Sequence, residues 1–221
     1  MNSDQVSNYR GEEAERYESQ ASGIAWHGHE ILFGLMYEYV KPGESLLDIG
    51  IGTGLSSLLF HKAGLQVSGF DNSTEMLKGC HSKEFAGQIV QHDLLNVPYP
   101  FQSDSINHII SLGVLNFFSD LSSVFQESSR IIKKDGIFGF TVEEKKPEQK
   151  HQYTVHVNSE INEESQPFDI LLYRHSDKDT RALLYTTGFS VLKEYEFLAD
   201  RYPEQEIEIF LKIYITQIQS S

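Results

Sequence analysis

Three aspartates stand out by position. Asp48 lies two residues ahead of a glycine-rich turn in "LLDIGIGTGLSS", Asp71 closes the apolar run "VSGFD", and Asp93 follows the run "GQIVQH". Each ends a strand-like stretch, where a carboxylate can accept hydrogen bonds from the hydroxyl and amine donors of a ligand. The turn carries Gly50, Gly52 and Gly54 in the spacing G-x-G-x-G. A dinucleotide fingerprint is G-x-G-x-x-G, with a pyrophosphate on the helix N-terminus, and Asp48 on the ligand side of such a turn would oppose that charge. A cationic ligand reverses the sign. Two unit charges about 4 Å apart interact by several kcal/mol at an intermediate dielectric, so this carboxylate favours a ligand bearing an ammonium and a sulfonium. S-adenosylmethionine carries both. Asp71, roughly 20 positions past the glycines, suits a pair of ribose hydroxyls, and Asp93 suits an adenine amino group.

The elements that must position these residues alternate along the chain. Ile31, Leu32, Leu35, Met36 and Val40 recur at helical spacing in "HEILFGLMYEYV", which predicts an opening helix packed on a sheet and stopped by "KPG". Strand-like and helix-like runs then follow in turn: "SLLDI", "LSSLLFHKAG", "LQVSGF", "STEMLKGC" with Ser73 as N-cap, "GQIVQH", "SINHIISLGVL", "DLSSVFQESSRIIK" and "GIFGFTVE". Such alternation predicts an α/β fold with a parallel sheet covered on both faces. The rhythm breaks after Glu143, and residues 144–175 are expected to be an acceptor-side insertion or lid, with one alternating patch from Tyr153 to Val157. Ser176 caps a last helix, and "FSVLKEYEFLA" and "IEIFLKIYITQI" predict an antiparallel pair. The chain is expected to form a single domain over residues 1–221, with residues 1–30 as an N-terminal arm or cap.

These stretches resemble the class I S-adenosylmethionine-dependent methyltransferases. The residues that carry the resemblance are "LLDIGIGTGLSS", "VSGFDNSTEML", "IVQHDLLNVPYPFQSDSINHIISLGVLNFFSDL" and "RIIKKDGIFGFTVEE", in the family's order over about half the chain. They look most like the small-molecule branch related to ubiquinone and menaquinone biosynthesis enzymes. One departure is Ile106-Asn107, where relatives usually carry Phe-Asp. The resemblance implies a Rossmann-like, seven-stranded, mostly parallel sheet with helices on both faces and a C-terminal antiparallel strand pair. It also implies that Asp48, Gly50, Gly52 and Gly54 hold the methionyl end of the cofactor, Asp71 the ribose, and Asp93 with Leu94 the adenine. Asn72 and Met76 fall in the same matching stretch and join the cofactor-binding set, and Ser111 is expected by the transferable methyl.

Displacement of a methyl group from a sulfonium needs no protonated leaving group, so a general base is required only for acceptors such as a phenol. The acceptor-side candidates are His27, His29, Asn116, Tyr153, His156 and His175, of which His27, His175, Asn116 and Tyr153 are carried forward. His27 and His29 point to different helix faces, so no metal pair is expected. Tyr153 and His156 lie on opposite faces of their alternating patch. "YRHSDKD" looks like an acceptor-side segment of some relatives, with Arg174 and His175 approaching the crevice. The plainer alternative is that Ser176 caps a helix and Arg174 pairs with an acid.

Composition narrows the partners. Thirty-two acidic residues against 18 basic ones leave a net charge of -14, which disfavours nucleic acid and anionic lipid. Cys80 is the only cysteine, so neither an internal disulfide nor a thiolate metal cluster can form. No window approaches the roughly 18 apolar residues of a membrane span, and the first ten residues lack a signal-peptide layout, so a cytoplasmic location is expected. The acceptor is expected to be a small molecule offering an O, N, C or S nucleophile, and the sequence does not give the oligomeric state. Two alternatives stay open: a non-catalytic S-adenosylmethionine-binding sensor or partner subunit, and a nicotinamide-dependent oxidoreductase, which the glycine spacing and Asp48 disfavour.

Overall fold

The computed structural model describes residues 26–157 and 168–219. Its helices are α1 (Gly28–Met36), α2 (Leu55–Lys62), α3 (Thr74–His81), α4 (Ser122–Ile131) and α5 (Asp177–Thr186). Its strands are β1 (Ser45–Ile49), β2 (Gln66–Asp71), β3 (Ile89–Gln91), β4 (Ile106–Ser111), β5 (Ile132–Glu144), β6 (Gln152–Val157), β7 (Phe168–His175), β8 (Phe189–Tyr202) and β9 (Ile207–Ile218). The pairs β3–β2, β2–β1, β1–β4 and β4–β5 are parallel. On the far side of β5 the sheet continues antiparallel through β9 to β8, so the expected C-terminal pair is present.

Among the described residues the sheet holds two strands more than the seven expected, and both come from the insertion. Residues 144–175 fold in part as the β6–β7 hairpin, which joins the end of β5 through Glu143↔Arg174 and Glu144↔His175. Residues 158–167 of this segment, and 1–25 of the expected N-terminal arm, lie outside the described residues. A smaller difference concerns α4, which stops at Ile131 although helical spacing predicts it through Lys133. Ile132 already pairs with Ile106 on β4, and a register irregularity before His108, with Asp135 at φ 63°, absorbs the residues between. Sheet pairing overrides local spacing here.

Alternation along the strands splits the core into two faces. Leu46 and Ile137 join Leu32, Met36 and Phe60 on the side of α1 and α2, while Leu47, Ile49, Phe138 and Phe140 join Phe125 and Leu184 on the side of α4 and α5. Phe140 stacks on Tyr214 of β9 with ring centroids 5.3 Å apart, and each such side chain contributes about 1.5–3 kcal/mol by leaving water. Gly139 on β5 has no room for a side chain, since a Cβ would come 2.5 Å from Met36 Sδ of α1. Both caps expected of serines are present: Ser73 Oγ accepts from Met76 N–H at 3.2 Å, and Ser176 Oγ from Asp179 N–H at 3.1 Å. Among the described residues no helix is long and apolar enough to cross a membrane.

The hairpin is tied to the sheet by one carboxylate. Glu143, at the end of β5 and 4 % exposed, accepts from Tyr153 Oη of β6 at 2.6 Å and from Arg174 Nε of β7 at 2.6 Å. The Arg174 guanidinium lies 3.6 Å from the centroid of the Tyr153 ring. Removing this carboxylate strands a buried guanidinium, so Glu143→Ala should lower unfolding stability in urea by on the order of 3–5 kcal/mol, and Glu143→Gln by less. Equal stability of all three proteins would show that the hairpin does not depend on this clamp.

Candidate functional site

The glycine turn sits between β1 and α2, at the carboxyl ends of the parallel strands, where open α/β sheets bind ligands. Its three glycines serve different ends. A Cβ at Gly50 would meet Val114 Cγ2 at 2.5 Å and one at Gly54 would meet Phe85 Cζ at 2.6 Å, so packing excludes side chains there. A Cβ at Gly52, where φ is 53°, would meet nothing within 4 Å. The middle glycine therefore borders open space, and a side chain would fill it.

Asp71 holds this turn in place. Its Oδ2 accepts from the Gly52 N–H at 2.9 Å, and its Oδ1 from the Ser73 N–H at 2.9 Å, which joins the turn after β1 to the turn after β2. The backbone adds to the join, with Gly50 N–H and Ile51 N–H both donating to Phe70 O. The Asn72 amide also bonds to this carboxylate, which offers about four acceptor directions in all, so room is left for a ligand hydroxyl. From the far side of the turn, Lys83 Nζ donates to Thr53 O at 2.8 Å.

Asp48 lies under the turn and is 2 % exposed, with Ser57 Oγ of α2 donating to its Oδ2 at 2.5 Å. Burial, opposed by that hydrogen bond and aided by the nearby charge of Asp71, pushes its carboxyl from 3.8 up to about 7. Burial raises Asp71 as well, against the amide hydrogen bonds it accepts. Two acids whose charged forms are both disfavoured flank one turn. A cation arriving there would relieve both, and a pyrophosphate neither.

The remaining residues expected to bind the cofactor lie at or just beyond the ends of β2, β3 and β4. Asn72 and Met76 follow Asp71 into α3, and Asn72 O accepts from Gln91 Nε2 at the end of β3. Asp93 begins the loop after β3, where its Oδ1 accepts from the Leu95 N–H at 2.9 Å, and Leu94 is buried with its carbonyl taking the Tyr99 hydroxyl. Ser111 is fully buried, its hydroxyl donating to Ile49 O across to β1 at 3.0 Å. It ties two strands together beneath the crevice. The loop after β4 is instead covered by Trp26, whose ring lies 3.8 Å from where a Gly113 Cβ would stand and 5.6 Å, centroid to centroid, from Phe197.

The acceptor-side candidates do not gather in one place. His27 is on the surface, with its Nδ1 2.8 Å from Glu30 Oε2. His29 is half-buried with Nδ1 unpartnered, and burial holds its imidazole below the ordinary value. His156 pairs with Asp169 at 2.7 Å on the exposed side of the hairpin. The Tyr153 hydroxyl is bound to Glu143, and burial together with that carboxylate drives its pKa up, which opposes service as a base. Asn116 is 8 % exposed with a buried, unpartnered Oδ1 in the 3-10 turn Leu115–Phe117. His175 ends β7, also 8 % exposed, and its Nε2 is unpartnered. The pairing of Arg174 with an acid is the plainer of the two expectations for that segment. Glu143 and Lys83 were not singled out, because their partners lie 10 to 31 residues away and leave no local pattern.

A largely parallel sheet with this pairing, a glycine turn beside the buried Asp48 and the partly buried Asp71, and a third acid beyond the neighbouring strand end make up a Rossmann-like fold. Residues 47–140 match the model of a family described as a methyltransferase domain. The demethylmenaquinone methyltransferase of Tropheryma whipplei is 30% identical over 97 residues, which is 44% of this chain and 41% of that protein. The chain thus spans under half the length of the curated relative it matches. Among solved structures, an S-adenosylmethionine-dependent methyltransferase from Clostridium acetobutylicum superposes with a TM-score of 0.70 at 14% identity, over 93% of this chain and 99% of the other. The magnesium protoporphyrin IX methyltransferase of Synechocystis PCC 6803, solved with bound S-adenosylhomocysteine, superposes at 0.62 and 16% identity, over 86% of this chain and 81% of the other.

The buried acid sets a pH dependence. The folded protein holds the Asp48 proton more tightly than the unfolded chain, so this contribution to stability is complete below about pH 4. It is lost as the pH rises through about 7. Asp48→Asn removes the dependence, and the gap in unfolding free energy between variant and parent should shift in the variant's favour by on the order of 2–4 kcal/mol from pH 4 to pH 8. Parallel stability curves for the two proteins would show that Asp48 is not held protonated in the fold.

Proposed function

We propose that the chain is an S-adenosylmethionine-dependent methyltransferase acting on an O, N, C or S nucleophile of a small molecule. The observation that carries this is the open space at Gly52, bounded by Asp71 and underlain by Asp48, at the carboxyl ends of parallel strands. When bound, the cofactor supplies an electrophilic methyl group on a sulfonium. The chain's own residues supply alignment and exclusion of water. Asp71 would accept from the ribose hydroxyls with the acceptor directions that the turn leaves it, and Asp93 from the adenine amine. Gly52 would let the methionyl end approach the backbone, with Gly50 and Gly54 keeping the turn's shape. Asp48 would place negative charge below the cationic end, and Asn72, Met76 and Leu94 would wall the nucleoside. Trp26 covers the loop after β4 and would shield the reaction from solvent on that side.

The likeness to a demethylmenaquinone methyltransferase supports a small-molecule acceptor, and the net charge of -14 speaks against nucleic acid. We read residues 1–221 as one domain working in the cytoplasm. The engaged state of Tyr153 and the surface position of His27 favour an acceptor that reaches the site already nucleophilic, such as an amine, a thiolate or an enolate carbon. The test is a panel of quinols, phenols, amines and thiols incubated with the protein and S-adenosylmethionine. S-adenosylhomocysteine should accumulate together with one methylated product. Tight cofactor binding with no turnover on any member would replace the enzyme by a sensor or partner subunit.

A further inference from the structure

Besides Glu143, another polar side chain is buried on the same face of β5. Thr141 lies between Phe140 and Val142 and is fully buried. A valine has the same shape and suits a buried strand as well, so what the hydroxyl adds here is a hydrogen bond. That bond reaches the loop after β4, where Thr141 Oγ1 accepts from the Gly113 N–H at 2.9 Å. The β4–β5 ladder itself ends at Ser111↔Phe140. Among the described residues no backbone carbonyl takes the Gly113 N–H, so the side chain supplies a rung that the backbone does not.

Gly113 is where the loop turns, at φ 70°, and two contacts depend on its position. Trp26 lies over it, 3.8 Å from where a Cβ would stand. Val114, the next residue, packs on the glycine turn: a Cβ at Gly50 would come 2.5 Å from its Cγ2 and 2.9 Å from its Cγ1. Ser111 ties the same stretch at its start, its hydroxyl donating to the carbonyl of Ile49, immediately before Gly50. The loop after β4 and the turn after β1 are thus joined by a hydrogen bond at Ser111 and by packing at Val114, and the Gly113 bond lies between. A partly buried N–H deprived of its acceptor is costly and recovers a partner only by moving. Here such movement would carry Val114 off Gly50 and the loop away from Trp26.

We propose that Thr141 is a positioning residue for the cofactor site: through the Gly113 N–H it holds Val114 on Gly50 and the loop under Trp26, and so fixes the shape of the glycine turn. Fully buried, it acts through the loop rather than on a ligand. The role rests on the methyltransferase reading, since the turn it shapes is the one assigned to the methionyl end of the cofactor.

The test compares the full-length parent with Thr141→Val, which keeps the shape and removes the acceptor, Thr141→Ser, which keeps the hydroxyl, and Val114→Ala, which leaves the Gly113 bond in place. Each is titrated with S-adenosylhomocysteine by calorimetry and by tryptophan emission, which reports on Trp26 because the chain has a single tryptophan. Exchange of the Gly113 N–H is followed by NMR. In Thr141→Val that N–H should exchange about tenfold faster, Trp26 emission should shift to longer wavelength, and S-adenosylhomocysteine should bind about tenfold more weakly. Thr141→Ser should return all three toward the parent. Val114→Ala should weaken S-adenosylhomocysteine by a similar factor with the Gly113 N–H still protected, which keeps the test decisive if Thr141→Val does not fold. Parent-like affinity in folded Thr141→Val or in Val114→Ala would overturn the role alone, as would a serine variant no better than the valine. Absence of S-adenosylhomocysteine binding to the parent would overturn the methyltransferase reading, and the role with it.

Discussion

The Asp71 carboxylate is the interaction on which the site depends. One oxygen holds the Gly52 N–H and the other the Ser73 N–H, so a single side chain joins the turns that follow β1 and β2. Charge-assisted bonds of this kind are roughly twice as strong as neutral ones, and here they fix a turn whose glycines all have positive φ. Without that join the turn would lose its register against β2, and the open space beside Gly52 would lose its floor. The parallel sheet brings the two turns side by side; the carboxylate decides their spacing.

Electrostatics then explains why the turn differs from a phosphate cradle. Asp48 beneath it and Asp71 beside it are both pushed toward their neutral forms by burial, and the charge of Asp71 further disfavours ionisation of Asp48. A site that keeps two acids under this stress has a deficit of positive charge. That deficit is what a sulfonium and an ammonium would meet, and it makes the neighbourhood poor for a pyrophosphate even though a helix N-terminus follows the turn.

Much of this was legible in the residues because it is written at short range. Strand ends, the Ser73 and Ser176 caps, the glycine spacing and the C-terminal strand pair all follow from neighbours within a few positions. The glycine turn and the aspartates at or just past the ends of β1, β2 and β3 fall in that class. What escaped rests on long-range pairing. The β6–β7 hairpin forms where polar composition suggests only an excursion, because Glu143 on β5 supplies a buried partner to Tyr153 and Arg174. Ser111 marks a strand end correctly, yet which way its hydroxyl points depends on the Ile49 carbonyl across the sheet. The end of α4 at Ile131 depends on strand pairing to β4, which no helical periodicity contains.

The most direct measurement is calorimetric titration of S-adenosylhomocysteine, S-adenosylmethionine and NAD into the parent protein and into Gly52→Ala. The account predicts that the first two bind the parent and NAD does not. It also predicts that the alanine, at a folding cost of about 1 kcal/mol for its positive φ, weakens both by at least tenfold. Binding of NAD to the parent, or unchanged affinity in the folded variant, would contradict the claim that this turn and its acids are built for a sulfonium cofactor.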